Sequence, residues 1–182
     1  MQRITILLLV LVACFATTMQ AQAQAPKPGT ELKKLHVWVG HWTYEGENKA
    51  GPWGQGGKFS GKYDGQMILE GFFFQGRWRD NETAGGESLV ICGYDAVNKN
   101  MTSDAYWYDG TRLSGVLAVS GSTFTWVGKG LAAGKSYPVR GQIVVASDFM
   151  SFTETFEISA DGKTWTPFFE YKYTKAQPAA KK

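Results

Sequence analysis

From residue 42 to residue 175 the sequence passes through ten strand-like segments separated by short turns, with no helical pattern between them. The segments are 42–48, 58–64, 67–79, 87–95, 103–108, 112–120, 123–129, 137–146, 149–158 and 165–175. Each alternates with period two or is rich in β-branched and aromatic residues, which is what half-buried strands require. Between them stand Asp64-Gly65, residues 81–86, Asn98-Lys99-Asn100, Asp109-Gly110, Ser120-Gly121-Ser122 and Asp161-Gly162, all with turn chemistry. Parallel neighbours would need crossovers of a dozen or more residues, so successive strands must pair as hairpins. A long meander escapes open edges by closing on itself. The chain therefore predicts an all-β fold, a single antiparallel up-and-down barrel of about ten strands.

Ahead of the first strand, Thr30 can cap a short helix that places Leu32, Leu35 and Val39 on one face. Gly40 then stands where a helix end wants a left-handed residue. This segment is expected to plug one end of the barrel, with Trp42 filling the first strand.

The 182 residues suit one domain. Met1-Gln2-Arg3, the apolar run 4–15 and the Ala-Gln alternation at 21–25 read as a bacterial secretory signal peptide. The expected layout is a leader at 1–25, a barrel domain at 26–175 and a frayed, solvated tail at 176–182. Export to the periplasm or the medium follows. An alternative is that Leu11-Val12-Ala13-Cys14 acts as a lipobox and Cys14 carries a lipid anchor. No later stretch approaches the ~20 apolar residues of a spanning helix, so the mature protein is expected to be soluble.

Cleavage after Ala25 leaves 157 residues in which Cys92 is the lone cysteine, so no intramolecular disulfide can form. Stability must come from the core, and a domain of this size can bury about two thirds of its unfolded surface. The formal charge of +3 falls to +2 once Arg3 leaves with the leader, and the basic residues are scattered. That excludes a nucleic-acid footprint.

Gly40-x-Trp42 after a short helix, followed by a long meander, resembles the signature of the lipocalin and calycin superfamily. The layout resembles more closely a family of secreted bacterial proteins with a lipocalin-like domain of unknown function, number fifteen seventy-nine. Residues 35–42, Gly93-Tyr94-Asp95, and Trp107-Tyr108-Asp109 with Gly115 after it carry that likeness, which spans 31–173. The resemblance implies a barrel that can hold a ligand and no established activity. It also implies a basic residue of the last strand across Trp42; Lys172 or Lys175 fills that place, where the usual arginine is missing. Haem-binding barrels of similar layout use a late-strand histidine, and this chain has none after His41.

Candidate chemistry is sparse. In 149–158, Met150, Phe152, Phe156 and Ile158 share a face with Glu154. Desolvation there would raise the carboxyl's pKa and suit a ligand anchor or general acid. The commoner reading of a buried carboxylate is an ion pair, with Arg77 or Arg140 as the candidate partner. Tyr94, Tyr106, Trp107 and Tyr108 are candidate pocket residues, although strands favour aromatics anyway. Trp53, in a glycine-rich loop at 50–57, is a candidate lip over the mouth. Segment 67–79 is apolar on both parities and does not say which faces inward.

His36 and His41, beside the plug, have no neighbouring ligand cluster, so no metal is expected. No histidine stands ready to serve a serine or Cys92 as base, and Cys92 reads as a small core residue. The reading that follows is a non-enzymatic exported protein, without cofactor, that binds a small hydrophobic or amphipathic ligand. Two alternatives remain. One is an isomerase or dehydratase with Glu154 and Tyr106 as acid and base; the other is a packed barrel acting as an envelope interaction protein.

Overall fold

A computed structural model describes residues 27–81 and 86–176 of the chain. The expected leader, its Cys14 alternative and the tail beyond Ala176 lie outside the described residues. Ten strands follow one another: β1 (Gly40–Asn48), β2 (Gly57–Ile68), β3 (Phe73–Asp80), β4 (Glu87–Asp95), β5 (Asn100–Trp107), β6 (Arg112–Ser120), β7 (Thr123–Ala132), β8 (Lys135–Val145), β9 (Ser151–Ile158) and β10 (Thr166–Lys175). Every neighbour is antiparallel, and β1 pairs with both β2 and β10, so the sheet is a closed barrel. An even strand count brings β10 back antiparallel beside β1, with Trp42 opposite Lys175.

The second hairpin departs from the strand and turn positions expected from the sequence. Asp64-Gly65 is not a turn but the middle of β2, and 67–79 is not one strand. The chain reverses at 69–72 through a short 3-10 turn in which Leu69, Glu70 and Gly71 all have positive φ. The reversal resolves the parity conflict: Met67 and Phe74 become cross-strand partners on one face, and Trp78 follows Phe74 inward. Gly65 serves close approach. A Cβ there would lie 2.1 Å from the Trp38 carbonyl oxygen.

The N-terminal segment is a 3-10 helix, Thr30–Trp38, preceded by Gly29 and without a side-chain cap from Thr30. With three residues per turn, its buried stripe is Leu32, Leu35 and Trp38, so Val39 does not join it. Trp38 enters the barrel and meets Phe124 at 4.4 Å and Phe74 at 5.7 Å between ring centroids. Trp42 donates its indole N–H to the Trp38 carbonyl oxygen across 3.1 Å, fixing plug to wall. Lys175 lies over the Trp42 ring at 5.2 Å, whereas Lys172, opposite Glu45, is exposed. Of the two lysines considered, the strand's alternation thus selects Lys175.

Just before β9, at the plugged end, Phe149 and Met150 are exposed in the turn rather than turned inward, because the strand begins only at Ser151. Phe152, Phe156 and Ile158 are buried as the alternation requires. Among the described residues no helix is long and apolar enough to cross a membrane.

Candidate functional site

The helix closes the barrel end where β1 begins, and the opposite end carries the loops 49–56, 108–111 and 159–165. From that open end a cavity of about 240 Å³ extends inward to Trp38. It has room for about a dozen non-hydrogen atoms at the packing density of a protein interior. Its wall is built by simple alternation: Tyr44 and Asn48 on β1, Trp78 and Asp80 on β3, Ser103, Ala105 and Trp107 on β5, and Glu154 and Phe156 on β9. On β10 a register shift between Pro167 and Phe169 breaks the alternation, so the successive Phe168 and Phe169 both line the space.

Glu154 lies deep in this wall, between Ile143 on β8 and Tyr171 on β10, and the surface it retains faces the cavity. The Tyr173 hydroxyl donates to its Oε2 across 2.8 Å, and the Trp78 indole N–H donates to the Tyr173 oxygen across 2.9 Å. Burial raises the Glu154 pKa to about 7, and the Tyr173 hydrogen bond opposes that rise. Burial likewise lifts Tyr63 and Tyr173 well above the usual phenol value and Cys92 to about 12. Cys92 is therefore a packed, inert thiol beside Ser103 rather than a nucleophile. Nearer the mouth, Tyr171 donates to Asn48 Oδ1 across 2.6 Å, and Tyr44 donates to Asp80.

The arginine pairing expected for Glu154 does not occur. Arg77 pairs with Glu87 at 2.7 Å and Arg140 with Glu157 at 2.7 Å, all on the outer surface. Both arginines alternate with inward neighbours, Gly76 and Trp78 for one and Val139 and Gly141 for the other. Tyr106 is also outside and 45% exposed, so it cannot act with Glu154 across the cavity. Trp107 and Tyr108 do line the space near its mouth, whereas Tyr94 packs toward the closed end of β4. Trp53 is half-buried rather than exposed; its ring covers Phe168 at 4.5 Å and Tyr137 at 5.5 Å.

Sequence reasoning missed Tyr173, Tyr171 and Trp78. The signal was present: choosing Lys175 over Lys172 as the cover for Trp42 would have put residues 173 and 171 on the inward face as well. Among the described residues no group of three or more His, Cys, Asp or Glu comes together to hold a metal ion.

A closed ten-stranded antiparallel barrel, plugged at one end by a short helix and hollow toward the other, defines a cavity-bearing β-barrel of the lipocalin-like kind. The chain belongs to the family described as "Protein of unknown function (DUF1579)", whose model matches residues 27–175. Among solved structures it is similar to Rv2717c from M. tuberculosis, with a TM-score of 0.58 and 9% sequence identity. That similarity covers 83% of this chain and 100% of the other, and it is a likeness of fold. Among curated proteins none matches the sequence.

Proposed function

We propose that the protein is exported and binds a small hydrophobic or amphipathic molecule inside the barrel. The cavity carries this reading: an aromatic-walled space of about 240 Å³ reaching a loop-lined mouth, with a few convergent polar groups, is the usual form of a small-molecule site. Export rests on the sequence of residues 1–25. A packed barrel serving as an interaction protein would have no use for that space. Native mass spectrometry of protein purified gently from its host, compared with the same sample denatured, tests the reading. A mass excess that disappears on denaturation supports it, and a clean mass at high protein concentration speaks against it.

One observation favours a second reading, an isomerase or dehydratase. A carboxyl with a pKa of about 7 can both give and take a proton near neutrality, and Glu154 opens onto the cavity. With Tyr106 outside, Tyr173 is the phenol at hand. Turnover of a cyclic ketone or alcohol by the wild type, lost in Glu154→Gln with the fold intact, would establish it.

A further inference from the structure

Three carboxylates line the cavity, Glu154 within and Asp80 and Asp109 toward the mouth, and among the described residues no lysine, arginine or histidine does. The remaining wall is largely aromatic. Ring faces attract cations through their quadrupole, and carboxylates pair with ammonium groups by charge-assisted hydrogen bonds. A ligand carboxylate or phosphate would meet the opposite conditions. It would leave water for a space without a cationic partner and lie among like charges.

From this arrangement we propose that the barrel selects an organic cation, a primary amine on a compact apolar body, with Glu154 as its counter-ion, and rejects anionic amphiphiles such as fatty acids. The inference rests on the binding reading above and names the class of molecule bound. Size and charge agree. The space of about 240 Å³ suits an aromatic ring with a short alkyl chain, and Glu154 stands midway along β9 on its wall.

Glu154 can accept from the ligand without surrendering its existing bond. The carboxylate has about four lone-pair sites, and the Tyr173 hydroxyl uses one of them at Oε2. Association is a non-covalent exchange. The ammonium keeps its three hydrogens, and any Glu154 carboxyl that is protonated beforehand releases its proton to solvent as the ion pair forms. The Trp78 and Tyr173 bonds hold the carboxylate's position before the ligand arrives, which limits what binding must order.

Isothermal titration of the full mature protein at about pH 8 with phenylbutylamine, phenylbutanol and phenylbutanoate tests the proposal, since the three share one apolar body and differ in charge. The amine should bind at least about tenfold more tightly than the carboxylate and more tightly than the alcohol. Glu154→Gln, close in shape and checked by its melting curve, should remove most of the amine's advantage. An alcohol or carboxylate that binds as tightly as the amine overturns the charge preference while leaving the binding reading intact. An amine preference untouched in Glu154→Gln overturns the counter-ion assignment. Absence of binding by all three overturns both readings together.

Discussion

Tyr173 donates its hydroxyl hydrogen to Glu154, whose ionised carboxylate can only accept, and its oxygen accepts from the Trp78 indole N–H, which can only donate. The direction of both bonds is thereby fixed, and the carboxyl keeps its other oxygen for the cavity. A chain of indole, phenol and carboxyl thus spans β3, β10 and β9 across the barrel interior. It holds an ionisable group in place without neutralising it.

Glu154 should make stability fall as pH rises. Its pKa is raised from 4.5 to about 7 in the folded state, so between those values the folded protein binds more protons than the unfolded chain. The stabilisation is complete below 4.5 and is lost as pH rises through about 7. The groups facing it, Tyr63 from β2, Cys92 from β4 and Tyr173 from β10, titrate far above that window. The loss is at most roughly 3 kcal/mol, since Glu154 is only partly buried and keeps surface open to the cavity. Glu154→Gln should melt several degrees higher than wild type at pH 8 and differ little at pH 4. Parallel melting curves across that range would contradict the assignment.

Trp42 should be a cornerstone of the closed end and Lys175 a lesser one. Trp42 is 1% exposed, packs edge-on against Phe152 and holds the Trp38 carbonyl. Trp42→Ala is expected to cost ~3–5 kcal/mol, in the range for large buried aromatics. Lys175→Ala removes a cation–π contact of ~0.5–2 kcal/mol, whereas Lys172→Ala should be neutral within about 0.5 kcal/mol. Urea midpoints order the three variants; equal effects at the two lysines would refute the placement of Lys175 over the indole.

Gly65→Ala should unseat the plug. Its Cβ would press on the Trp38 backbone carbonyl, which cannot swing aside as a flexible side-chain end could. Overpacking of this kind costs ~1–3 kcal/mol. Gly29→Ala, which meets nothing within 4 Å, is the control. Hydrogen exchange should show the amides of 30–38 less protected in Gly65→Ala alone.

Trp53 should govern access to the cavity. Its ring covers Phe168, yet its indole N–H is buried without a hydrogen-bond partner among the described residues. A deficit of ~1–3 kcal/mol for such a group weakens the closed position of the loop. Trp53→Ala is expected to speed both entry and departure of the best-bound probe by several-fold while changing affinity less, as read by stopped-flow fluorescence. Unchanged rates would mean that the ligand enters elsewhere.

Much of the barrel was legible because its turns are short and its strands alternate: 87–95 and 112–120 match β4 and β6 end to end. The failures have local causes. Asp64-Gly65 carries turn residues for another reason, since Asp64 binds His41 and Arg79 on the outer face while Gly65 admits the plug. α-Helical spacing puts Val39 on the face of Leu32 and Leu35, and the tighter 3-10 winding brings Trp38 there instead. Glu154 was readable as an inward carboxylate from its own strand. Its partner was not, because pairing Glu154 with Tyr173 depends on the parity of β10, and Arg77 could not be placed until the reversal at 69–72 was known.

If the barrel interior is the binding site, a side chain that fills it must block the ligand. Ala105 is buried on β5 and lines the cavity, so Ala105→Phe puts a ring into the space without removing a polar group. Titration of wild type and variant with whichever probe binds wild type best should show affinity falling at least about tenfold while the melting temperature holds. Equal affinity in a folded Ala105→Phe protein would place the ligand outside the barrel.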